Sequence, residues 1–240
     1  VPVFAVYPSF LQRGYDMLIH DVALQNLHVV FCVDRAGLVG SDGETHHGVF
    51  DVSYLSSVPN MTVLCPASYA ELEAMLHAAI YDISGSVAIR YPRGGEGVYT
   101  ACNTAPETLL REGSDVTLVC YGIMTNEALK AAERLAAEGV SAEVIKLSMI
   151  KPPDFDLIMR SLHKTGKLLI SEDVCEAGCV GSRILEEAAI NEIDVRAAKL
   201  LNLGEGIVPH GTVAELLPDF GLDADGIVSA ATEMMDKDLK

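Results

Sequence analysis

Residues 29–48 read VVFCVDRAGLVGSDGETHHG. The first five residues are apolar and mostly β-branched, which is the pattern of a buried strand. The loop that follows, residues 34–48, contains four glycines, one arginine and two adjacent histidines, and glycine lets a backbone adopt conformations that are closed to other residues. Open α/β sheets place their ligand sites at the carboxyl ends of strands. We therefore expect small-molecule chemistry in this loop.

Strands and helices alternate along the rest of the chain. Apolar runs predict strands at residues 3–6, 29–33, 61–65, 87–91, 116–120, 141–145, 167–171 and 195–201. Helical periodicity predicts helices at residues 10–25, 70–81, 126–138, 155–164, 182–191, 212–217 and 223–236, with a helical turn at 50–55. Such alternation indicates parallel strands joined by crossover helices. The predicted fold is α/β, with two consecutive domains and mostly parallel sheets.

The boundary between the two domains is predicted near residue 100. Residues 94–113, GGEGVYTACNTAPETLLREG, show neither helical nor strand periodicity and contain glycine, proline and polar residues. This composition is typical of a linker, here one that crosses the surface with some strand of its own. We assign residues 1–96 to the first domain, 97–112 to the linker and 113–240 to the second domain.

Three helix starts carry polar or glycine signals. Ser9 and Ser68 each precede a helical pattern, and a serine hydroxyl accepts a hydrogen bond from a free N–H of the first turn. A glycine-containing turn, residues 177–181, leads into the helix predicted from Ser182. Such a turn either binds an anion at the helix start or is purely structural, and the sequence favours the structural interpretation.

Charge and composition exclude some classes of protein. The 240 residues carry a formal net charge of −17 and half of them are hydrophobic, so nucleic acid and anionic membranes are not expected partners, because both need basic patches. No apolar run is long enough for a membrane span and no secretory signal is visible, which favours a cytoplasmic location. The first residues, VPVFAV, begin inside a strand pattern without an initiator methionine, and we interpret the chain as part of a longer enzyme.

Basic residues are scarce in the first domain. Residues 1–96 contain no lysine, and their four arginines, Arg13, Arg35, Arg90 and Arg93, are interpreted as lying at or just beyond the ends of predicted strands. A guanidinium group donates two parallel hydrogen bonds to a phosphate. The four side chains either bind a small anion or form ordinary pairs with nearby carboxylates.

Histidines and cysteines leave several chemistries open. Asp42 and His46, four residues apart, could supply two metal ligands. Alternatively, one histidine could act as general acid or base or bind a substrate hydroxyl, and either histidine could tie the loop down. The pair Cys175 and Cys179 lacks the second half of a zinc motif. We expect the six cysteines to be reduced thiols.

Three segments together resemble one enzyme family. They are YPSFLQRGYDMLIHDVALQNL at residues 7–27, DRAGLVGSDGETHHGVFDVSYL at 34–55 and AIRYPRG at 88–94. In this order they are similar to the carboxyl-terminal part of 1-deoxy-D-xylulose-5-phosphate synthases, transketolase-like enzymes that depend on thiamine diphosphate. The resemblance covers essentially the whole chain, as the later part of a pyrimidine-binding domain followed by a transketolase C-terminal domain. Pro8 and Gly14 are local departures away from the chemistry.

The resemblance implies a transferase. Enzymes of this family decarboxylate pyruvate and condense it with D-glyceraldehyde 3-phosphate, in the first step of the non-mevalonate route of isoprenoid biosynthesis, whose product also serves thiamine biosynthesis. Carried over by position, Asp42 and His46 would be catalytic and would engage the hydroxyl and carbonyl end of the acceptor.

The same resemblance implies binding roles for five further residues. Phe10 would pack on the aminopyrimidine ring of thiamine diphosphate, and Arg13 would lie on the cofactor side of the pocket. The phosphate of the acceptor would be held by Tyr7, Arg35 and Arg93. Scarce arginines at strand ends are what a phosphate site requires.

Some family motifs are absent from the chain. The GDG motif that binds magnesium and the diphosphate, and the glutamate that activates the aminopyrimidine, belong to an amino-terminal part. We expect that this chain binds no metal, needs that missing part for catalysis, and works as a homodimer with apolar surface where the missing part docks.

Two other interpretations remain open. The chain could be a subunit of a split transketolase or of a 2-oxoacid dehydrogenase, which a partner gene for the diphosphate-binding half would favour. It could also be a non-catalytic dimerisation module, in which the loop is structural and a phosphorylated aldehyde leaves the melting temperature unchanged.

Overall fold

The computed structural model describes residues 1–237 as two five-stranded sheets flanked by helices. The strands are β1 (Val3–Val6), β2 (Val30–Asp34), β3 (Met61–Leu64), β4 (Ser86–Tyr91), β5 (Glu107–Arg111), β6 (Val116–Tyr121), β7 (Ala142–Leu147), β8 (Met149–Lys151), β9 (Lys167–Ser171) and β10 (Ala197–Leu201). The helices are α1 (Pro8–Leu11), α2 (Tyr15–Met17), α3 (Asp51–Ser57), α4 (Tyr69–Tyr81), α5 (Met124–Ala137), α6 (Asp156–Thr165), α7 (Val180–Ile190), α8 (Val213–Asp219) and α9 (Ala224–Lys237). The predicted fold of two consecutive, mostly parallel α/β domains is confirmed.

The first sheet has the order β1-β2-β4-β3-β8. Its pairs are parallel except β3 with β8, which are antiparallel. β2 and β4 are buried over nearly their whole length, as expected for parallel strands covered on both faces. Asp34 at the end of β2 lies opposite Tyr91 at the end of β4. The chain segments that leave these two strands are therefore neighbours.

The helical segment between β1 and β2 changes pitch along its length. α1 continues into a 3-10 turn, Gln12–Gly14, then α2, then a π-helical turn, Leu18–Ala23. Its buried apolar residues face the first sheet and join the main core cluster, to which Leu11, Leu18 and Ala23 belong.

Of the two serines expected to cap helices, one does so. Pro8 takes the first helical position, where its missing N–H costs nothing. Ser9 therefore lies inside α1, buried, and its hydroxyl has no hydrogen-bond partner among the residues described, so the prediction that it caps this helix is wrong. Ser68 accepts a hydrogen bond from the Glu71 N–H at 3.1 Å, which confirms the predicted cap of α4.

The second sheet has the order β10-β9-β6-β7-β5. All of its pairs are parallel except β5 with β7. β5 lies within residues 97–112, so the segment expected to link the domains contributes the edge strand of this sheet. The α5 and α9 helices pack on one face around an apolar cluster that includes Leu118, Leu135 and Ile227.

One strand crosses between the two sheets. β8 follows β7 directly but pairs with β3 of the first sheet, and the N–H of Cys65 donates to the Ser148 carbonyl at 2.8 Å. The main core cluster is accordingly shared: it joins Val63 and Ala88 of the first sheet to Ile145 of the second. The two domains are held together by a common core and not by a linker alone.

A fully buried ion pair reinforces this junction. Lys146 on β7 donates to Glu71 on α4 at 2.7 Å, and neither side chain is exposed. Lys146 also donates to Ser148 and to the Asn103 carbonyl, and the Tyr99 hydroxyl donates to Glu71 at 2.7 Å. Because each charge has partners for its remaining hydrogen bonds, the pair can be buried at the junction.

Candidate functional site

The loop that follows β2, residues 35–48 and here called the site loop, is closed at its base by two glycines. Gly37 and Gly48 exchange backbone hydrogen bonds of 3.0 and 2.8 Å. A Cβ on Gly48 would stand 2.5 Å from the Arg35 carbonyl oxygen, so this close approach requires glycine. The Ala36 N–H donates to the Tyr91 carbonyl at 2.9 Å. The loop therefore leaves the sheet beside the end of β4, next to Arg93.

Asp42 is the point on which two arginines converge. One of its carboxylate oxygens pairs with Arg35, and the other lies 2.9 Å from Arg93 Nη1. Arg93 also donates to the Ser41 hydroxyl at 3.2 Å. The Arg35 and Asp42 side chains are each 24% exposed and that of Arg93 is 45% exposed. Two cations and one anion at a half-buried position leave a net positive charge that solvent can reach.

Contacts between aromatic rings connect Arg35 to His46. The Arg35 guanidinium lies 4.5 Å above the ring of Tyr7, which stacks on Phe10 with a centroid distance of 5.4 Å. The Phe10 ring meets His46 edge-to-face at 5.5 Å, and His46 Nδ1 lies 2.9 Å from the Thr45 hydroxyl. Six of the seven residues predicted for the site thus form one contiguous cluster: Tyr7, Phe10, Arg35, Asp42, His46 and Arg93.

Arg13 is the predicted site residue that stands apart. It lies in the 3-10 turn after α1 and is exposed. It makes no hydrogen bond or ion pair with any residue in the described part of the chain, so its guanidinium remains available for an outside partner.

His47 has a structural environment, unlike its neighbour His46. It is 5% exposed, and its Nδ1 accepts from the Val39 N–H at 3.2 Å, so Nε2 carries the proton and donates to the Pro209 carbonyl at 3.2 Å. Burial lowers the pKa of His47, and the carbonyl contact only partly opposes this. Of the roles left open for the histidine pair, His47 takes that of tying down the loop, here to the second domain.

Comparison with known families matches both domains. A model described as the transketolase pyrimidine-binding domain matches residues 1–95, and one described as the transketolase C-terminal domain matches residues 107–227. The chain belongs to the transketolase family. The first domain is therefore of the transketolase pyrimidine-binding type, and the second is of the transketolase C-terminal type.

The relatives carry the name that the motifs suggested. The chain is 44% identical over 232 residues to 1-deoxy-D-xylulose-5-phosphate synthase of Chlorobaculum tepidum, covering 94% of this chain and 36% of the relative. It is 41% identical over 243 residues to the synthase of Heliobacterium modesticaldum, covering 99% and 37%. The resemblance recognised in the sequence is confirmed, and the chain spans little more than a third of the length of these relatives.

A solved structure gives the same architecture. A split gene transketolase, described as an inactive β4 tetramer, superposes with a TM-score of 0.87 at 29% identity, covering 97% of this chain and 76% of that one. The transketolase fold therefore extends over both domains and their junction.

Arg90 has partners that the sequence did not indicate. It donates to Asp51 at 2.8 Å and to Asp173 of the C-terminal domain at 3.2 Å, and all three side chains are at most 5% exposed. Arg90 is therefore unavailable to an anion, unlike Arg35 and Arg93. A usable signal was present in the sequence, because Asp173 lies two residues after the predicted strand 167–171, at the edge where ligand sites and domain contacts form.

Burial and charge act in opposite directions within this group. Burial raises the pKa of Asp51, and Arg90 opposes that rise. Burial alone would lower the pKa of Arg90, but Asp51 and Asp173 outweigh it and hold that pKa well above its usual value. Arg90 therefore stays charged and clamps two carboxylates from different domains.

The glycine turn before α7 binds an anion of the protein itself. The backbone N–H groups of Val180 and Gly181 donate to the Glu172 carboxylate at 2.7 and 2.9 Å, and the Tyr121 hydroxyl donates to it at 2.9 Å. Burial raises the pKa of Glu172, and these donors lower it in part. The structural interpretation of this turn is confirmed, because an internal carboxylate takes the donors that a ligand would need.

The cysteines do not assemble a site in the described residues. All six are free, and burial raises the pKa of Cys175 and Cys179. Within residues 1–237 no group of three or more His, Cys, Asp or Glu side chains is arranged to hold a metal ion. In the same range no helix has the length and apolar character needed to cross a membrane.

Proposed function

We propose that this chain forms the pyrimidine-binding and acceptor-binding part of a 1-deoxy-D-xylulose-5-phosphate synthase. The reaction is the thiamine diphosphate-dependent transfer of the two-carbon unit left by decarboxylation of pyruvate to D-glyceraldehyde 3-phosphate. The observation that carries the proposal is the convergence of Arg35 and Arg93 on the Asp42 carboxylate.

This arrangement supports a site for the acceptor phosphate. Two guanidinium groups that already converge on a carboxylate present the geometry that a phosphate monoester needs, and charge-assisted bonds of this kind are among the strongest in proteins. Tyr7 lies against Arg35 and restricts its orientation. The phosphate of the acceptor would bind to Arg35 and Arg93 in place of Asp42.

Asp42 and His46 are then placed to act on the other end of the acceptor. A carboxylate released from the arginines accepts a hydrogen bond from a substrate hydroxyl, and an imidazole N–H donates to the carbonyl oxygen. His46 is half-buried against Phe10, so its ring is held at the edge of the aromatic cluster. In this proposal His46 donates a proton to the acceptor carbonyl oxygen, which becomes a hydroxyl as the new carbon–carbon bond forms.

The residues present fit the organic part of the cofactor. The Phe10 ring is 48% exposed although it stacks on Tyr7, so one aromatic surface is available for the aminopyrimidine ring. Arg13 lies one turn further along the same segment, with a role on the cofactor side of the pocket. When bound, thiamine diphosphate supplies the nucleophilic carbon that attacks the acceptor carbonyl.

In this proposal the ligands of the diphosphate and of its magnesium ion lie outside this chain. The relatives are longer than this chain, which supports an additional amino-terminal part that contributes the Mg²⁺ and diphosphate ligands and the activating glutamate. We further propose a homodimer in the cytoplasm. Partly exposed apolar side chains on β1 and the helical segment after it, among them Phe4, Met17 and Leu24, support docking of further protein there.

A reconstitution assay tests the function. This chain is mixed with a separately expressed amino-terminal part of a relative, thiamine diphosphate, Mg²⁺, pyruvate and D-glyceraldehyde 3-phosphate, and 1-deoxy-D-xylulose 5-phosphate is measured. Product formation that requires both polypeptides, and that is lost with Arg35→Met or Arg93→Met, is the expected result. Absence of product from a complex that does form, under conditions where the intact relative is active, would contradict the proposal.

A subunit of a split transketolase is the second candidate, favoured by the likeness to the split gene transketolase. Assays of the same reconstituted complex with different substrates distinguish the synthase from the transketolase. A transketolase uses a ketose phosphate as donor and a sugar phosphate as acceptor, whereas the synthase requires pyruvate. A non-catalytic dimerisation module would show neither activity, and its melting temperature would not respond to the phosphorylated aldehyde.

A further inference from the structure

The turn after β9 of the C-terminal domain contacts both ends of the site loop. At the start of the loop, Gly37 has φ +73°, and a Cβ placed on it would lie 1.7 Å from Asp173 Oδ2. Just beyond the end of the loop, the Val49 carbonyl accepts from the Cys175 N–H at 2.9 Å. The two ends of the site loop, which meet through Gly37 and Gly48, therefore pack against residues 173–175.

Asp173 also links this turn to β4. Its Oδ1 accepts from both terminal nitrogens of Arg90 at 3.2 Å, while Oδ2 occupies the volume beside Gly37. Arg90 is followed by Tyr91, whose carbonyl accepts from the Ala36 N–H. A single carboxylate thus contacts the loop that carries Arg35 and the strand that leads to Arg93.

A cavity places Asp173 near the anion site itself. Its solvent-accessible volume is about 70 Å³, and Leu38, Arg93 and Asp173 are among its lining residues. Arg93 is partly exposed whereas Asp173 is buried, so the carboxylate lies on the protein side of this space.

We propose that Asp173 is a positioning residue for the acceptor-phosphate site, an inference that rests on the function proposed above. Through Gly37 and Arg90 it sets the separation of the Arg35 and Arg93 guanidinium groups, which must bind one phosphate together. Asp173 does not contact the phosphate; it acts through the backbone of the site loop and through β4.

The sign of the effect separates this role from simple electrostatics. Asp173 is an anion near an anion site, so by charge alone its removal would strengthen phosphate binding. If Asp173 instead positions the arginines, its removal weakens phosphate binding, because one of the two guanidinium groups no longer reaches its place.

The test measures the binding of inorganic phosphate to this chain by titration calorimetry, together with the melting temperature. Asp173→Asn keeps the shape of the side chain but removes its charge, and phosphate affinity should fall about tenfold, a loss typical of removing a supporting residue. Lys146→Met is the matched control, because it also breaks a buried ion pair between the domains but lies away from the site loop. It should lower the melting temperature and leave phosphate affinity within about twofold.

Each outcome decides a separate point. Phosphate binding by Asp173→Asn as tight as or tighter than that of the unmodified chain would overturn the positioning role. Failure of the unmodified chain to bind phosphate would overturn the acceptor site, and with it the proposed function. If Asp173→Asn does not fold, Gly37→Ala disturbs the same contact from the loop side and is expected to weaken phosphate binding in the same way; unchanged affinity in that folded variant would overturn the inference.

In the reconstituted enzyme the same variant provides a kinetic readout. Asp173→Asn should raise KM for D-glyceraldehyde 3-phosphate and leave KM for pyruvate unchanged, since only the acceptor carries a phosphate. An equal rise in both KM values, or a fall in kcat alone, would contradict a role in positioning the phosphate site.

Discussion

Lys146 Nζ lies 2.7 Å from Glu71 Oε1 across the junction of the two domains, and solvent reaches neither side chain. The attraction between two buried charges is offset by the cost of removing both from water, so the intact pair adds little net stability. Removing one partner is different, because it leaves the other charge buried and unpaired.

Lys146→Met should therefore destabilise the chain by about 3–5 kcal/mol. Urea denaturation followed by circular dichroism measures this free energy of unfolding. The control is Lys130→Met, which removes a partly exposed lysine paired with Glu127 and should change stability by less than about 1 kcal/mol. Equal effects of the two substitutions would show that the junction does not depend on the buried pair.

Asp42→Asn should strengthen the binding of inorganic phosphate. The Asp42 carboxylate engages Arg35 and Arg93 in the structure, and phosphate must displace it. Neutralising Asp42 weakens that competing contact by roughly 1.5 kcal/mol, the lower end for a hydrogen bond to a charged group, which corresponds to about a tenfold gain in affinity. Calorimetric titration checks this. In the reconstituted enzyme the same change should reduce turnover, because the acceptor hydroxyl loses a carboxylate; a gain in turnover would contradict that role.

Arg90 and Arg93 are close in sequence but should respond oppositely to substitution. Arg90→Met leaves Asp51 and Asp173 buried without their cation, and is expected to cost about 3–5 kcal/mol of stability. Arg93→Met removes a half-exposed side chain and should change stability by less than about 1 kcal/mol while abolishing measurable phosphate binding. Thermal melts and phosphate titrations of both variants provide the comparison, and an Arg93 variant that binds phosphate normally would remove Arg93 from the site.

His47 should make stability depend on pH in mildly acidic solution. Because burial lowers the pKa of His47 in the folded chain, the unfolded chain binds the proton more tightly, and stability rises with pH. The contribution is complete above the unfolded pKa of about 6.5 and is lost as pH falls from there through the lowered folded value.

The corresponding experiment compares melting temperatures at pH 5 and pH 8. His47→Gln, which can still accept from Val39 and donate to Pro209, should show a smaller pH dependence than the unmodified chain. His77→Gln, at an exposed position on α4, serves as the control and should leave the dependence unchanged. If the melting temperature of His47→Gln depends on pH as strongly as that of the unmodified chain, groups other than His47 cause the dependence.

Much of this architecture could be predicted from local pattern. The apolar run before Asp34 and the alternation of later runs with amphipathic segments identified β2 and the other main strands and helices, because burial of one face imposes a period that is visible in the residues themselves. The motif around Arg35, Asp42 and His46 likewise indicated the family and six residues that the structure brings together.

Other features required the tertiary structure. β8 is a three-residue strand, Met149–Lys151, and nothing local indicates that it pairs with β3 of the other domain. Arg90 and Arg93 carry the same side chain three residues apart, and only the positions of Asp51 and Asp173 decide that one is buried in a clamp while the other faces solvent. Ser9 has the residue type of a cap but lies inside α1, because Pro8 before it already occupies the first turn.

The sequence by itself determined most of the strands and helices, the loop in which Arg35, Asp42 and His46 lie together and the family to which the chain belongs, since each depends on residues close together along the chain. The tertiary structure alone decided which charges are paired, which histidine is structural and which residue of the C-terminal domain supports the site loop. Those outcomes depend on contacts between residues far apart in sequence, such as Asp173 with Gly37, and a buried charge or a close backbone approach exists only once the surrounding chain has packed against it.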